Sequence, residues 1–418
     1  MLHHRTGSSR RTTLLLTLLL FISTAVLFYI RARWSRPIPA HPFPASAILD
    51  QNTVTSSTGG AISCNCTAPK MPDPGIFPGG KAQSKEGWNV LPAVDGAKLD
   101  TTTFRVGSGT LVSTTYITSS YDPRRIKRVV VMIHGLSRTS WNQQLYTSLA
   151  LDKATQSGAV SRDEVVVLAP HFFTGKDAGA FPADAHGKPL NDVLVWKGTE
   201  WADGTPSKYP KGSSVGAFDV LDAVIDHFLD LRKYPNLGTI VIGGFSLGAQ
   251  LVTRYSTFRP SNAEQDSRIS YWVGAPNSFL YLDRSRPYPT ERYPDFNEYK
   301  YGLEGSLPPY LAAKRVVPSL QALAPNLLNR RISYCVGLGD LSAGSDVGPA
   351  AVQGSHHVSK VQHWVSDYLP FLPGSTGSRG VLPPRSTVDY IDGASHQDWK
   401  VLQSECTIKR LFLENPRR

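Results

Sequence analysis

Five short runs along the chain are almost wholly apolar and rich in β-branched residues: 129–133, 165–168, 239–242, 269–273 and 332–336. Strands buried on both faces read this way, because neither face must alternate with solvent, and the sheet they predict is mostly parallel. Between them lie stretches with helical spacing. The clearest spans 217–231, where Val220, Val224, Phe228 and Leu231 recur on one face. A second helix is expected over 355–369. Ahead of the series, 104–106 and 111–117 flank Gly107-Ser108-Gly109 and predict a β-hairpin. Strands alternating with helices after an antiparallel start indicate an α/β fold, a mostly parallel central sheet flanked by helices.

Three segments break the pattern. Residues 14–30 carry no charge and are rich in Leu and Phe. In a helix they would reach about 25 Å, the lower end of what spans a bilayer. The run passes directly into Arg31-Ala32-Arg33 without a small-residue cleavage site, so 1–12 reads as a short basic tail and 13–30 as an uncleaved transmembrane signal anchor, with a cleaved signal peptide as the alternative. Residues 31–85 are rich in Pro, Ser and Thr and poor in periodic apolar positions, a stem without its own core. The domain proper is expected over 86–418. Inside it, 279–330 is long, aromatic and Pro-rich, and reads as a cap-like insertion.

Charge changes the picture little. Of the net +11, six arginines fall within the first 36 residues, which hold no acid. The remainder is mildly basic, with none of the aromatic-interleaved basic motifs that bind nucleic acid. Asn65-Cys66-Thr67 is a glycosylation sequon, and with four cysteines it suits a lumenal or extracellular domain in the secretory pathway, membrane-held or secreted. One intervening residue disfavours pairing Cys64 with Cys66, and Cys335 with Cys406 is the bridge expected.

Candidate chemistry centres on Gly244-Phe245-Ser246-Leu247-Gly248, a G-x-S-x-G motif. It follows a predicted strand and opens an amphipathic run, 250–255. A strand, a tight turn and a helix together lift a serine hydroxyl clear of the sheet edge.

At this motif the chain resembles the α/β-hydrolase superfamily, over about 104–413. The resemblance implies that an acid follows a late strand and a histidine follows the last. Asp340 closes the run Ile332-Ser333-Tyr334-Cys335-Val336-Gly337-Leu338-Gly339, and His396 stands after Val388-Asp389-Tyr390-Ile391. In that scheme Ser246 is the nucleophile, His396 the base and Asp340 its orienting acid. Asp346 and Asp392 are alternatives for the acid, and His356, His357 and His363 for the base. The oxyanion donors implied are the amides of Leu247 and Leu136, with His134 structural. Ala169-Pro170-His171-Phe172-Phe173, Trp196 with Trp201, Gln250 with Arg254-Tyr255, and Gln353-Gly354 are similar to a group of little-characterised secreted fungal and bacterial hydrolases. Trp196 and Trp201 either line an acyl pocket or pack a loop.

These readings imply a serine hydrolase of carboxylic esters acting on a small-molecule or lipid-like acyl substrate, attached to a membrane through its N-terminal helix. An acyltransferase would use the same acyl-enzyme. A silent binding protein would not need a complete Ser, Asp and His set. A lumenal glycosyltransferase would call for an Asp-x-Asp pair at a metal-bound sugar nucleotide, which the sequence lacks. No cofactor is expected, and no metal-ligand spacing such as H-E-x-x-H occurs.

Overall fold

Nine strands form the central sheet of the computed structural model, which describes residues 64–80, 87–186, 188–190, 192–343 and 348–415. In chain order they are β1 (Cys64–Thr67), β2 (Ala97–Asp100), β3 (Thr115–Thr118), β4 (Arg128–Ile133), β5 (Val165–Pro170), β6 (Thr239–Phe245), β7 (Ile269–Gly274), β8 (Arg331–Gly337) and β9 (Ser386–Asp392). Across the sheet they run β1-β9-β8-β7-β6-β4-β5-β3-β2. Only β3 opposes the rest, pairing antiparallel with both β2 and β5. The apolar runs are the central strands, and β4, β5, β6 and β7 are buried at every position. Burial on both faces accounts for their lack of alternation.

The principal helices are α1 (Ser140–Gln156), α2 (Ala217–Leu229), α3 (Leu247–Phe258), α4 (Leu320–Asn329) and α5 (His357–His363). In α2, Val220, Val224 and Phe228 face the core as their spacing predicts. The helix expected over 355–369 is α-helical only in α5, then widens to a π turn at Trp364–Tyr368 and tightens to a 3-10 turn at Leu369–Phe371, where Pro370 removes a helical donor. His356 caps α5: its Nδ1 accepts from Ser359 N at 3.1 Å, and Ser359 Oγ accepts from His356 N at 3.0 Å.

Several expectations need correction. The hairpin exists, pairing Arg105–Val106 with Leu111–Val112, but its second arm ends there. Thr115–Thr118 leaves it to join the main sheet as β3. The stem reading does not hold over residues 64–80. β1 pairs parallel with β9 in the register Cys64 to Asp389, and the following segment is tied to α1 by Ile76 N to Asn142 Oδ1 at 2.8 Å and Tyr146 Oη to Asp73 Oδ1 at 2.6 Å. The disulfide is Cys64–Cys406, with Cα atoms 6.0 Å apart, and Cys335 is a buried thiol 3.9 Å from Thr407 Oγ1. The β1–β9 pairing, invisible in the sequence, brings residue 64 over the C-terminal helical turns.

The predicted anchor 13–30, the tail 1–12 and most of the stem lie outside the described residues. Among the described residues no helix is long and apolar enough to cross a membrane.

The insertion 279–330 is pinned at its start and knotted in its middle. Gln353 accepts from Phe279 N at 2.7 Å and donates to Phe279 O at 2.9 Å. Arg286, buried between the rings of Tyr281 and Phe296, donates to Phe296 O, Asn297 Oδ1 and Tyr301 O. This presents Lys300 and Tyr301 to a cavity at the sheet edge.

Candidate active site

The site lies where parallel strands end together. Gly244 in β6 is in register with Ile133 in β4, Phe245 with Gly274 in β7, and Gly337 in β8 with Ile391 in β9. The loops leaving β4, β6, β8 and β9 therefore meet at one edge, the position at which open α/β sheets bind ligands.

Ser246 stands on the turn from β6 into α3, at φ 56° and ψ −119°. A non-glycine residue seldom adopts this conformation, and such strain is characteristic of a nucleophile elbow. Two glycines make room for it. A Cβ on Gly244 would lie 2.5 Å from the backbone of Gly248, and one on Gly248 would lie 2.4 Å from Ile133 O. Ser246 N donates to Gly274 O at 2.8 Å, which ties the turn to β7.

His396 and Asp340 meet from the loops after β9 and β8, with His396 Nδ1 2.6 Å from Asp340 Oδ2. The Asp340 side chain is fully buried and that of His396 is one-third exposed. Burial alone would raise the Asp340 pKa, but hydrogen bonds from His357 and His396 outweigh it and hold the group at about 2. Asp340 is thus a firm anion and Nδ1 of His396 carries a proton, leaving Nε2 as the basic nitrogen. Ser246 and His396 line the same cavity of about 890 Å³. The alternative acid Asp392 is exposed and accepts from Gly393 N at 2.9 Å, while Asp346 lies outside the described residues.

The loop after β4 passes over the serine, since a Cβ on Gly135 would come within 3.9 Å of Ser246 Oγ. Neither Leu136 N nor Leu247 N donates a hydrogen bond among the described residues. For Leu247 this follows from its place in the first turn of α3, where amides have no intrahelical partner. Both residues line the cavity, as two oxyanion donors must. His134 is structural, as expected. Its Nδ1 donates to Gly135 O at 2.9 Å, its Nε2 accepts from Phe172 N at 3.1 Å, and burial lowers its pKa to about 4.

Trp196 and Trp201 do not line the cavity. Trp196 Nε1 donates to Thr205 O at 2.9 Å, and Trp201 stacks on Phe172 with its edge toward His134. They pack the wall whose Thr199 reaches the cavity. Gln250 also lines it, held by Arg254 at 2.9 Å and Ser278 at 2.8 Å on its Oε1.

Sequence reasoning missed one role and one group. His357, offered there only as an alternative base, stands 3.0 Å from the second oxygen of Asp340. Asp398, two residues past His396, lines the cavity and accepts from Gln143 Nε2 at 2.6 Å. Burial raises the Asp398 pKa to about 6, against the Gln143 hydrogen bond and aided by the charge of Asp73. Nothing in the spacing announced either group, because both depend on loop conformation.

Asp340, His357 and His396 offer ligand atoms within 4.8 Å of one another, as do Cys64, Cys66 and Cys406. In the first group Asp340 already binds His396 Nδ1 and faces His357 Nδ1, and in the second the disulfide consumes two of the three sulfurs.

The strand order with one antiparallel strand, the strained serine elbow after β6 and the Ser, Asp, His chain order are features of the α/β-hydrolase fold. No family model and no curated protein sequence matches it. Among solved structures it is similar to a poly(3-hydroxybutyrate) depolymerase from Bordetella parapertussis, at 17% identity and a TM-score of 0.44 over 74% of this chain and 86% of that one. It is also similar to poly(aspartic acid) hydrolase-1 from Sphingomonas sp. KT-1, at 15% identity and a TM-score of 0.46 over 77% and 100%. A siderophore hydrolase from Aspergillus nidulans aligns at 11% identity and a TM-score of 0.39 over 77% and 95%.

Proposed function

We propose that the chain is a serine hydrolase that cleaves carboxylic esters through an acyl-enzyme on Ser246. The observation that carries this reading is the 2.6 Å hydrogen bond between His396 and the ionised, buried Asp340 in the cavity that also holds the strained Ser246. His396 Nε2 takes the serine proton as Oγ attacks the ester carbonyl. The amides of Leu136 and Leu247 stabilise the oxyanion, and the imidazolium returns its proton to the departing alcohol. Water then attacks the acyl-enzyme by the same route.

The cavity favours a polar substrate over a long acyl chain. Ser137, Thr139, Gln250, Asn277 and Lys300 contribute to its lining, against few aliphatic side chains. A secretory location is supported by the Cys64–Cys406 bridge and by the exposure of Asn65 on edge strand β1. Attachment through 13–30 completes the proposal.

The test is covalent labelling. The full chain should react with a fluorophosphonate probe at Ser246 and hydrolyse short, polar aryl esters faster than long-chain ones. A protein that neither labels nor turns over any ester would defeat the reading.

A further inference from the structure

His357 has no part in the chemistry just described, yet it touches the carboxylate that the chemistry requires. Its Nδ1 is hydrogen-bonded to Ser342 O at 3.2 Å and stands 3.0 Å from Asp340 Oδ1, so one N–H faces two acceptors. Both neighbours are acceptors, so this nitrogen carries the ring's proton. Asp340 is thereby gripped between two imidazoles, His357 on Oδ1 and His396 on Oδ2, with the two rings 4.4 Å apart and tilted by 32°. The other side-chain neighbour of Oδ1, Ser342 Oγ, stands at 3.5 Å, too far to hold the carboxylate.

We propose that His357 is a positioning residue that acts through Asp340, locking the carboxylate so that Oδ2 alone addresses His396. The inference rests on the serine-hydrolase reading above. A carboxylate with one partner can rotate about its last bond and present either oxygen. With a donor fixed on Oδ1, only one orientation satisfies both, and the base is held in one tautomer and one direction.

For this role His357 must stay a neutral donor while His396 becomes charged, and its surroundings favour that. Burial lowers its pKa below the usual imidazole value, the contact with Asp340 opposes this, and a charge on His396 lowers it further. Among the described residues, the other charged or titratable groups around it are His356 at the cap of its helix and Lys360 on it, with Asp398 beside His396. Lys360 Nζ is bound to Asn277 Oδ1 at 2.7 Å and Ala343 O at 3.2 Å.

The experiment compares three variants of the full chain in ester turnover and fluorophosphonate labelling. His357→Phe keeps a ring but loses the donor. It should lower kcat by about 10- to 100-fold, the worth of one hydrogen bond to a charged group, with KM little changed. The acid limb of its kcat/KM profile should move to higher pH, because Asp340 then concentrates its charge on His396. His357→Asn places an N–H near the Nδ1 position and should restore kcat, whereas His357→Gln reaches further and should not. A His357→Phe enzyme with unchanged kcat and an unmoved pH profile overturns the proposal. If that variant does not fold, the amide pair decides: Asn above Gln supports it, and equal kcat values overturn it. A wild-type protein that fails to label or turn over any ester condemns the underlying reading instead, which separates the two failures.

Discussion

Arg138 and Asp177 form a two-pronged ion pair at the loop after β4, Nε to Oδ2 at 2.7 Å and Nη2 to Oδ1 at 2.9 Å. Asp177 also accepts from Trp88 N at 2.9 Å and Thr174 N at 2.8 Å, so all its lone pairs are occupied in a fully buried position. Arg138 itself stands at φ 57° and donates to Leu136 O at 3.3 Å. The charge pair thus holds a strained backbone turn, and through it the amide of Leu136.

Asp177→Asn should therefore damage stability and turnover together. Removing one partner of a buried pair costs about 3–5 kcal/mol, and a displaced oxyanion donor costs about 100-fold in kcat. Thermal melting and steady-state kinetics on one preparation would show both. A variant that melts lower but turns over normally would detach the pair from the oxyanion loop.

The Ser246, His396 and Asp340 set should behave as one unit. Ser246→Ala and His396→Ala should each cost on the order of 10⁴-fold or more in kcat, and Asp340→Asn about 10²–10⁴-fold, with little further loss on combination. Additive losses in the double variants would show that the three do not serve one proton transfer.

Acid should unfold the protein through Asp177 and Asp340. For Asp177, burial raises the pKa, but the Arg138 hydrogen bond and charge outweigh it and hold the folded group at about 2, as in Asp340. A depressed folded pKa means stability present above the unfolded value near 3.8 and lost as pH falls from there toward 2. Asp398 acts in the opposite sense. Its raised pKa of about 6 means that the folded state is penalised as pH climbs from 3.8 through 6. Asp398→Asn should melt higher than the wild type at pH 7, with the advantage vanishing below about pH 4. Melting curves across that range would check it, and a pH-independent difference would exclude titration of Asp398 as the cause.

The three clustered cysteines predict unequal variants. Cys406→Ser abolishes the bridge and should cost about 2–4 kcal/mol. Cys64→Ser leaves Cys66, whose sulfur lies within 4.8 Å of that of Cys406 and on the same face of β1, so a Cys66–Cys406 bridge should form and spare most of the stability. Counting free thiols after denaturation would separate the cases: Cys335 alone in Cys64→Ser, and Cys64, Cys66 and Cys335 in Cys406→Ser.

Periodicity made the interior of the fold legible because β4 to β7 are buried at every position and are apolar over most of their length. It could not show β1, whose alternation is confined to Cys64–Thr67 and whose partner lies more than three hundred residues away in sequence. Ser246 was legible because its strain demands a motif written in adjacent residues. Asp340 and His396 required the superfamily's chain order in addition. The contact of His357 with Asp340, and Asp398 altogether, were hidden because they come from the folding of loops onto one carboxylate and one glutamine, and no local pattern encodes that. Trp196 and Trp201 were misplaced in one of their two readings for a related reason, since bulk and aromaticity serve a packed wall as well as an open one.

The Cys64–Cys406 bridge has a mechanical consequence. It spans 342 residues and joins the first described strand to the last helical turns, so a pull applied at the two ends of the domain runs through one covalent bond. The sheet, the elbow and the loops around the serine lie inside the closed ring and bear none of that load. Roughly 1,100 Å of extended chain is withheld from any tension along the molecule until the sulfurs part.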